Sequence, residues 1–126
     1  MNLQLKKFDM ASMKYDKVIV LLGKRETGKS FLVRDILYHH QDIPIGTVIS
    51  GTENANQFYG NMIPSLFIFD EYTPQIIENV LKRQKMAQKE MRREISERGC
   101  TSIDPRAFLI LDDCLHDTTW TKDPNV

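Results

Sequence analysis

The stretch GKRETGKS, from Gly23 to Ser30, constrains the fold of this chain more than any other part of its sequence. It fits the pattern G-x-x-x-x-G-K-[ST], in which glycine lets the backbone wrap around phosphate oxygens while successive N–H groups point inward. Residues 17–23 (KVIVLLG) form a continuous apolar run, which is typical of a strand buried on both faces of a parallel sheet. Residues 30–40 follow with a helical apolar stripe. The sequence therefore predicts a strand, a phosphate-binding loop and a helix, in that order.

Each residue type in such a loop has a chemical role. The helix directs its positive N-terminal end toward a phosphate, Lys29 reaches the β- and γ-phosphates, and the Ser30 hydroxyl binds Mg²⁺. We therefore predict ATP and Mg²⁺ as cofactors and Lys29 as a catalytic residue. The alternative is a glycine turn with an incidental lysine, but the sequence also meets the expected context of a strand before the loop and a helix after it. The predicted nucleotide-binding residues are Gly23, Lys24, Arg25, Glu26, Thr27, Gly28, Lys29, Ser30 and Phe31.

Two further strands and one long helix are predicted downstream of this loop. The strands are expected at 47–50 and 107–111, and a helical turn is expected near residues 55–59. The long helix is expected to run from Pro74 to Arg98, because its apolar residues recur with helical period. Its boundaries are marked by local signals: Thr73 as N-cap, Pro74 at the first helical position and Gly99 as the stop.

Strands that alternate with helices indicate an α/β fold with a parallel sheet. We predict a P-loop NTPase three-layer sandwich, truncated after the strand at 107–111, with residues 1–16 as a lead-in to a single, partial domain over 1–126. The spatial order of the strands is expected to be 47–50, then 107–111, then 18–22, with right-handed crossovers.

Two acidic tips compete for the role of metal-side acid. LFIFDEY ends in Asp70 and Glu71, and FLILDDC contains Asp112 and Asp113. Parallel neighbours need a crossover of a dozen or more residues, usually a helix, and the long helix directly precedes the second tip. Carboxylates just ahead of a helix, as in the first tip, are also explained by the helix dipole. We therefore predict Asp112 as the Mg²⁺ ligand and Asp113 as the base that orients the attacking water.

The bulk composition limits the class of protein. A chain of 126 residues with 41% hydrophobic and 27% charged residues supports one domain, and no apolar run reaches the ~18 residues of a membrane span. Cys100 and Cys114 form no CxxC pair, which favours a reducing compartment. A three-ligand zinc site of Cys100, Cys114 and His116 has irregular spacing, so free thiols are the simpler interpretation.

The long helix carries a concentration of positive charge. Seven basic and three acidic residues lie between Lys82 and Arg98, although the whole chain has 17 of each sign. One interpretation is a surface that tracks nucleic-acid phosphates. The other is a solvated face braced by ion pairs such as Arg93–Glu97 and Glu94–Arg98. Gln84 lies on the apolar stripe, where it either has a buried partner or faces the nucleotide.

Taken together, these motifs resemble one family. VIVLLGKRETGKSFLVRDIL, VISGTENANQFYG and FLILDDCLHDTTWTKDPNV are similar to the virion-packaging ATPases of the nucleo-cytoplasmic large DNA viruses, which belong to the FtsK–HerA superfamily of P-loop ATPases. The resemblance covers about residues 15–126. Its most particular part is the arrangement DDC-L-x-D-x-x-W at 112–120.

The resemblance implies ATP hydrolysis that moves double-stranded viral DNA into capsids. It implies Mg²⁺, a homo-oligomeric ring, contact with capsid proteins, and a location in the virion or in viral factories of the host cytoplasm. It also implies a Walker A motif at Gly23, Lys29 and Ser30, a Walker B acid at Asp112, and Asp113 in place of the usual glutamate base. In the family, a further strand and an arginine-bearing sensor motif follow Walker B, so the chain is expected to be a fragment or a degenerate copy.

Two rival functions remain open from the sequence. A P-loop kinase for a small hydroxyl substrate would need an arginine-rich lid after the third strand, and the sequence has none. A nucleotide-binding module without turnover would need only the loop, the helix and the metal-side acid. Transfer of phosphate to a small molecule, transfer to water, or neither would distinguish the three functions.

Overall fold

A computed structural model describes residues 2–52, 57–114 and 119–126. The chain divides into two compact units, Met1–Asp42 and Ile43–Val126. The expected turn near 55–59 falls partly outside the described residues, as do His116 of the possible zinc site and residues 115–118 of the DDC…W motif. A 3₁₀ turn at Tyr59–Asn61 follows the first of these gaps. Neither cysteine forms a disulfide, since Cys100 is an exposed free thiol and Cys114 a buried one.

The first unit contains a 3₁₀ turn, Met10–Ser12, and helix α1, Lys29–His39. The predicted helix is confirmed and begins one residue earlier than expected. The predicted strand at 18–22 is wrong, because residues 17–24 have no regular secondary structure. Val18 and Leu22 are 92% and 91% exposed. β-propensity measures how well a side chain packs on a neighbouring strand, and a local pattern does not supply that neighbour.

The second unit contains a three-stranded sheet of β1 (Ile45–Ser50), β2 (Ile68–Phe69) and β3 (Ala107–Asp112). All pairings are parallel, in the order β2-β1-β3. The predicted strands at 47–50 and 107–111, and their adjacency, are confirmed. The third strand of the sheet is the two-residue β2 and not the run at 18–22. The predicted strand order is therefore wrong, because β1 and not β3 is the central strand. The predicted α/β class with a parallel sheet therefore holds.

Helix α2, Pro74–Arg98, lies between β2 and β3 in the chain and has the predicted bounds. Thr73 is the N-cap residue in extended conformation, although its side chain makes no capping bond. Gly99 ends the helix with φ 77°, a left-handed conformation that glycine adopts at little cost, and its N–H donates to the Ile95 carbonyl at 2.9 Å. These local signals were sufficient to predict both ends.

The core of the second unit is small and lies between the sheet and the first turns of α2. Ile49, Tyr72, Ile76, Ile77 and Cys114 are buried together there. Phe69, Leu111 and Trp120 pack against this group from its edge. The predicted apolar stripe of α2 is therefore buried at its start and loses burial toward the C-terminus, where Ile95 is 46% exposed.

One close approach holds β1 against β3. Gly46 pairs with Phe108 in the ladder, and the phenyl ring lies directly over the glycine. A Cβ atom built on Gly46 would lie 1.9 Å from Cζ of that ring, far inside van der Waals contact. Only glycine fits at this position while the ring keeps its place.

Among the described residues, no helix is long and apolar enough to cross a membrane.

Candidate nucleotide-binding site

The predicted phosphate-binding loop lies in the first unit, directly before α1. Two residues of the loop have positive φ: Glu26 at 60° and Gly28 at 86°. Gly28 is the N-cap residue of α1, and its carbonyl accepts the Leu32 N–H at 3.0 Å, which starts the helical ladder. A glycine is suited to this left-handed cap, whereas Glu26 adopts a conformation that is uncommon for a residue with a side chain.

The side chain of Lys29 folds back across the loop. Its Nζ donates to the carbonyl oxygens of Gly23 and Lys24, each at 2.6 Å. A lysine ammonium has three donors, so these two bonds leave one proton for another acceptor. The residue lies in the first turn of α1, where the helix dipole also favours an anion. Positive charge and a helix N-terminus thus coincide at one point of the chain.

A second side chain closes the loop from within. Thr27 Oγ1 donates to the Lys24 carbonyl at 2.6 Å. A Cβ atom on Gly23 would lie 2.6 Å from that same Oγ1, so a side chain at the first glycine of the motif would displace the Thr27 hydroxyl. The structure therefore brings Gly23, Lys24, Thr27 and Lys29 together.

The other predicted loop residues differ in exposure. Lys24, Arg25 and Glu26 are exposed, whereas Ser30 is half-buried in the first turn of α1. Phe31 is 58% exposed, and the Arg34 guanidinium lies 4.8 Å from the centre of its ring. Ser30 is thus the least exposed polar side chain among the candidates for a metal contact in this unit.

The predicted acids lie in the second unit, where the carboxyl ends of all three parallel strands meet at one edge of the sheet. Ligands commonly bind at this edge in open α/β sheets. Asp112 ends β3 and pairs with Ser50, the last residue of β1. The Gly51 N–H donates to the Asp112 carbonyl at 3.3 Å, which continues the pairing one residue past the sheet.

Tyr59 fixes the carboxylate of Asp112. The tyrosine is 1% exposed, and its hydroxyl donates to Asp112 Oδ2 at 2.7 Å. This bond leaves Oδ1 and the remaining lone pairs of the carboxylate available to a cation. Sequence reasoning missed Tyr59 because the two residues are 53 positions apart and no local pattern joins them.

The remaining acids are more exposed than Asp112. Asp113 has φ 51° and an exposed side chain, so the chain turns sharply after β3 at the residue predicted to be the base. Asp70 and Glu71, which follow β2, are exposed as well. The strand β2, which precedes Asp70, also pairs in parallel with β1, so the crossover argument against the first tip was weaker than the sequence indicated. The hydrogen bond to buried Tyr59 now distinguishes Asp112 instead.

Each unit separately contains an oxygen donor of a kind that Mg²⁺ takes when phosphate is bound as well. Magnesium in nucleotide sites takes one or two carboxylates and fills its remaining positions with phosphate oxygens and water. The second unit offers the half-buried Asp112 carboxylate, and the first offers the Ser30 hydroxyl. Within 2–52, 57–114 and 119–126, no group of three His, Cys, Asp or Glu side chains could hold a metal ion by itself. A protein-only metal cage is therefore not what the described residues provide.

Hydrogen bonds of the C-terminal residues 114–126 brace the end of β3 and the adjoining core. The Cys114 thiol donates to the Ile49 carbonyl at 3.5 Å, and the Trp120 indole N–H donates to the Cys114 carbonyl at 3.0 Å. Tyr72 donates a hydrogen bond to Asp123, and this bond holds the pKa of the Asp123 carboxyl below its ordinary value. The Cys114 side chain thus packs in the core beside Ile49, directly after the acidic pair Asp112 and Asp113.

Comparison with known proteins finds relatives in large DNA viruses. An uncharacterized protein of Acanthamoeba polyphaga mimivirus is 40% identical over 120 residues, which cover 94% of this chain and 42% of the relative. An uncharacterized protein of Invertebrate iridescent virus 6 is 47% identical over 100 residues, covering 79% and 35%. One from Frog virus 3 is 34% identical over 109 residues, covering 86% and 31%.

The chain spans less than half the length of these curated relatives. No protein-family model matches it. No solved structure matches it either. The comparisons therefore establish kinship with viral proteins whose printed names state no activity.

Proposed function

We propose that this chain is the nucleotide-binding part of a P-loop ATPase that packages double-stranded viral DNA. The observation that carries the proposal is the loop 23–30, in which Lys29 folds over the carbonyls of Gly23 and Lys24 at the start of α1. A phosphate group would meet a lysine ammonium, a helix N-terminus and a tightly curled backbone at this point.

The viral side of the proposal rests on two supports. The relatives come from large DNA viruses, and the three quoted motifs resemble packaging ATPases of such viruses. The full-length protein would then form a ring around duplex DNA, contact capsid proteins, and act in the virion or in viral factories of the host cytoplasm. A P-loop three-layer fold is part of the same proposal.

Each proposed residue has a defined task. The Lys29 ammonium exchanges a loop carbonyl for phosphate oxygens and offsets their charge. Ser30 and Asp112 are the proposed ligands of Mg²⁺, which supplies charge neutralisation at the phosphates when bound. Tyr59 keeps Asp112 in one orientation through its hydroxyl. Asp113, exposed beyond β3, accepts a proton from the attacking water.

We expect the 126-residue chain to bind Mg·ATP but to turn it over more slowly than ~1 s⁻¹. Binding needs the loop, α1 and the metal-side acid. Fast hydrolysis in the family it resembles also needs a trans-acting arginine, a contribution of about 10³–10⁵-fold in rate. Titration with a fluorescent ATP analogue and a phosphate-release assay measure the two steps separately. Absence of any Mg²⁺-dependent ATP binding by folded protein would contradict the proposed function.

Asp112→Asn is expected to weaken Mg²⁺-dependent ATP binding about tenfold or more, while Asp70→Asn leaves it nearly unchanged. The first change removes the charge of the acid held by Tyr59, and a charged hydrogen-bonding or metal contact contributes roughly 1.5–3 kcal/mol. Asp70→Asn is the matched control, since it makes the same chemical change at the other tip. Tyr59→Phe should act in the same direction as Asp112→Asn but less strongly. If Asp70→Asn is the more damaging variant in Mg²⁺ titrations, Asp112 is not the metal-side acid.

A further inference from the structure

The outer face of α2 carries a straight row of positive charge. Lys82, Lys85, Lys89 and Arg92 follow the spacing i, i+3, i+7 and i+10, which places their side chains on one side of a helix. All four are exposed. Within the part of the chain that the structure describes, none of them forms an ion pair.

Three of the four carboxylates of the same helix, Glu90, Glu94 and Glu97, bond groups outside the row. Arg93 bonds Glu90 and also bonds Glu97 at 3.2 Å, so one arginine takes two acids. The Arg93 guanidinium accordingly keeps the pKa of Glu90 below its ordinary value. Glu94 accepts the Thr101 hydroxyl at 2.6 Å. The expected Arg93–Glu97 pair is confirmed, whereas Glu94 bonds Thr101 in place of Arg98.

Arg83 does not belong to this row. Its guanidinium donates to Thr47 Oγ1 at 3.1 Å and lies 5.7 Å from the centre of the Phe67 ring, so it packs inward on the sheet. The sequence placed it with the other basic residues of the helix. The structure separates one structural arginine from four solvent-facing cations.

A shallow depression of about 370 Å³ runs beside the row. Three of the lysines line it, together with Glu78, Leu81, Met86 and Asn125. Leu81 and Met86 are 36% and 63% exposed, so they offer apolar surface next to the cations. The described residues that line the depression include no aromatic side chain of the kind that dominates protein–protein interfaces.

We propose that this row binds the phosphate backbone of duplex DNA, an inference that rests on the proposed function and names the surface it uses. Like charges at this spacing destabilise a helix, and among the described residues the four cations form no ion pair that would offset their repulsion. From Lys82 to Arg92 the helix rises about 15 Å, a length over which one DNA strand carries roughly four phosphates. Four cations in a row therefore match a regularly spaced polyanion.

The test measures binding of a fluorescein-labelled 20-bp duplex by anisotropy at several salt concentrations. The variant Lys82→Gln/Lys85→Gln/Lys89→Gln removes three charges from the row. The control Lys6→Gln/Lys7→Gln/Lys14→Gln removes three exposed lysines outside it. We expect the row variant to lower the slope of log K against log salt by about 2.7, since each lost phosphate contact contributes about 0.9. The control should change the slope by less than about 1.

Three results would contradict the assignment of duplex binding to this row. They are no duplex binding by the unaltered chain, an equal loss of duplex affinity in both triple variants, or displacement of the duplex by a polyglutamate peptide at equal charge. The last would indicate an acidic protein as partner.

A Lys→Arg triple at the same positions keeps the charge and should restore binding, which separates charge from folding. Mg·ATP titration of the row variant should match the unaltered chain. If neither the unaltered chain nor any variant binds ATP while duplex binding is intact, the nucleotide site is refuted and the DNA-binding surface is not.

Discussion

Replacing Gly46 with alanine is expected to lower the free energy of unfolding of the sheet-containing unit by about 2–3 kcal/mol. The new methyl group would overlap the Phe108 ring, since the Cβ position lies 1.9 Å from Cζ. The ring covers the glycine along the β1–β3 ladder, so it would have to leave this position to admit the methyl group. Against a total stability of about 5–15 kcal/mol for an ordinary domain, such a loss is severe. Urea unfolding followed by the fluorescence of Trp120, the single tryptophan, measures it.

Gly99→Ala is the matched control for this experiment. Unlike Gly46, Gly99 has open space where a Cβ would lie, with nothing within 4 Å, so alanine there is strained only by the left-handed φ of 77°. We expect about 1–2 kcal/mol there. The double variant Gly46→Ala/Phe108→Ala removes the overlap and should be more stable than the sum of its two single changes predicts. Strict additivity would mean that the ring does not constrain Gly46.

Replacing Lys29 with alanine is expected to weaken Mg·ATP binding about 100-fold. The ammonium would contact two phosphates, and a charged hydrogen bond of this kind contributes roughly 1.5–3 kcal/mol. A total loss of about 2.8 kcal/mol in binding free energy corresponds to a factor of 100 in affinity. Titration with a fluorescent ATP analogue gives both dissociation constants. The result that would contradict the loop assignment is unchanged affinity in a folded variant.

Two further variants separate binding from folding in this loop. Lys14→Ala removes one exposed lysine of the same unit and should leave ATP affinity within about twofold, since that side chain lies outside the loop. Lys29→Met keeps the aliphatic stem but loses the bonds to the Gly23 and Lys24 carbonyls. It should bind ATP as weakly as Lys29→Ala, and circular dichroism should show that α1 is retained.

Local signals predicted the elements that are specified locally. Thr73, Pro74 and Gly99 marked both ends of α2, and the apolar run before Asp112 marked β3. The run at 18–22 has an equally strong pattern but no strand, because strand pairing depends on a distant partner. The two-residue β2 was too short to produce a periodic signal.

The candidate site was predictable in its loop and less so at its acids. The motif identified Gly23, Gly28 and Lys29 directly, since spacing alone defines it. Tyr59 was not identifiable, because only the fold brings its hydroxyl to Asp112. The hydrogen bond from Arg83 to Thr47 could not be predicted for the same reason. A helical pattern shows which face of the helix a residue occupies but not which polar atom of the sheet its side chain will bond.

The one-sided burial of α2 has a consequence for how the helix opens. Its buried residues are confined to Ile76 and Ile77, near the N-terminus, while the helix continues to Arg98. The free energy of local opening should therefore decrease along its length, and amide hydrogens in the last turns should exchange with solvent sooner than those beside the sheet. The row from Lys82 to Arg92 begins where this protection declines. A polyanion bound to the row would stiffen that half of the helix, so binding there would be coupled to helix order as well as to charge.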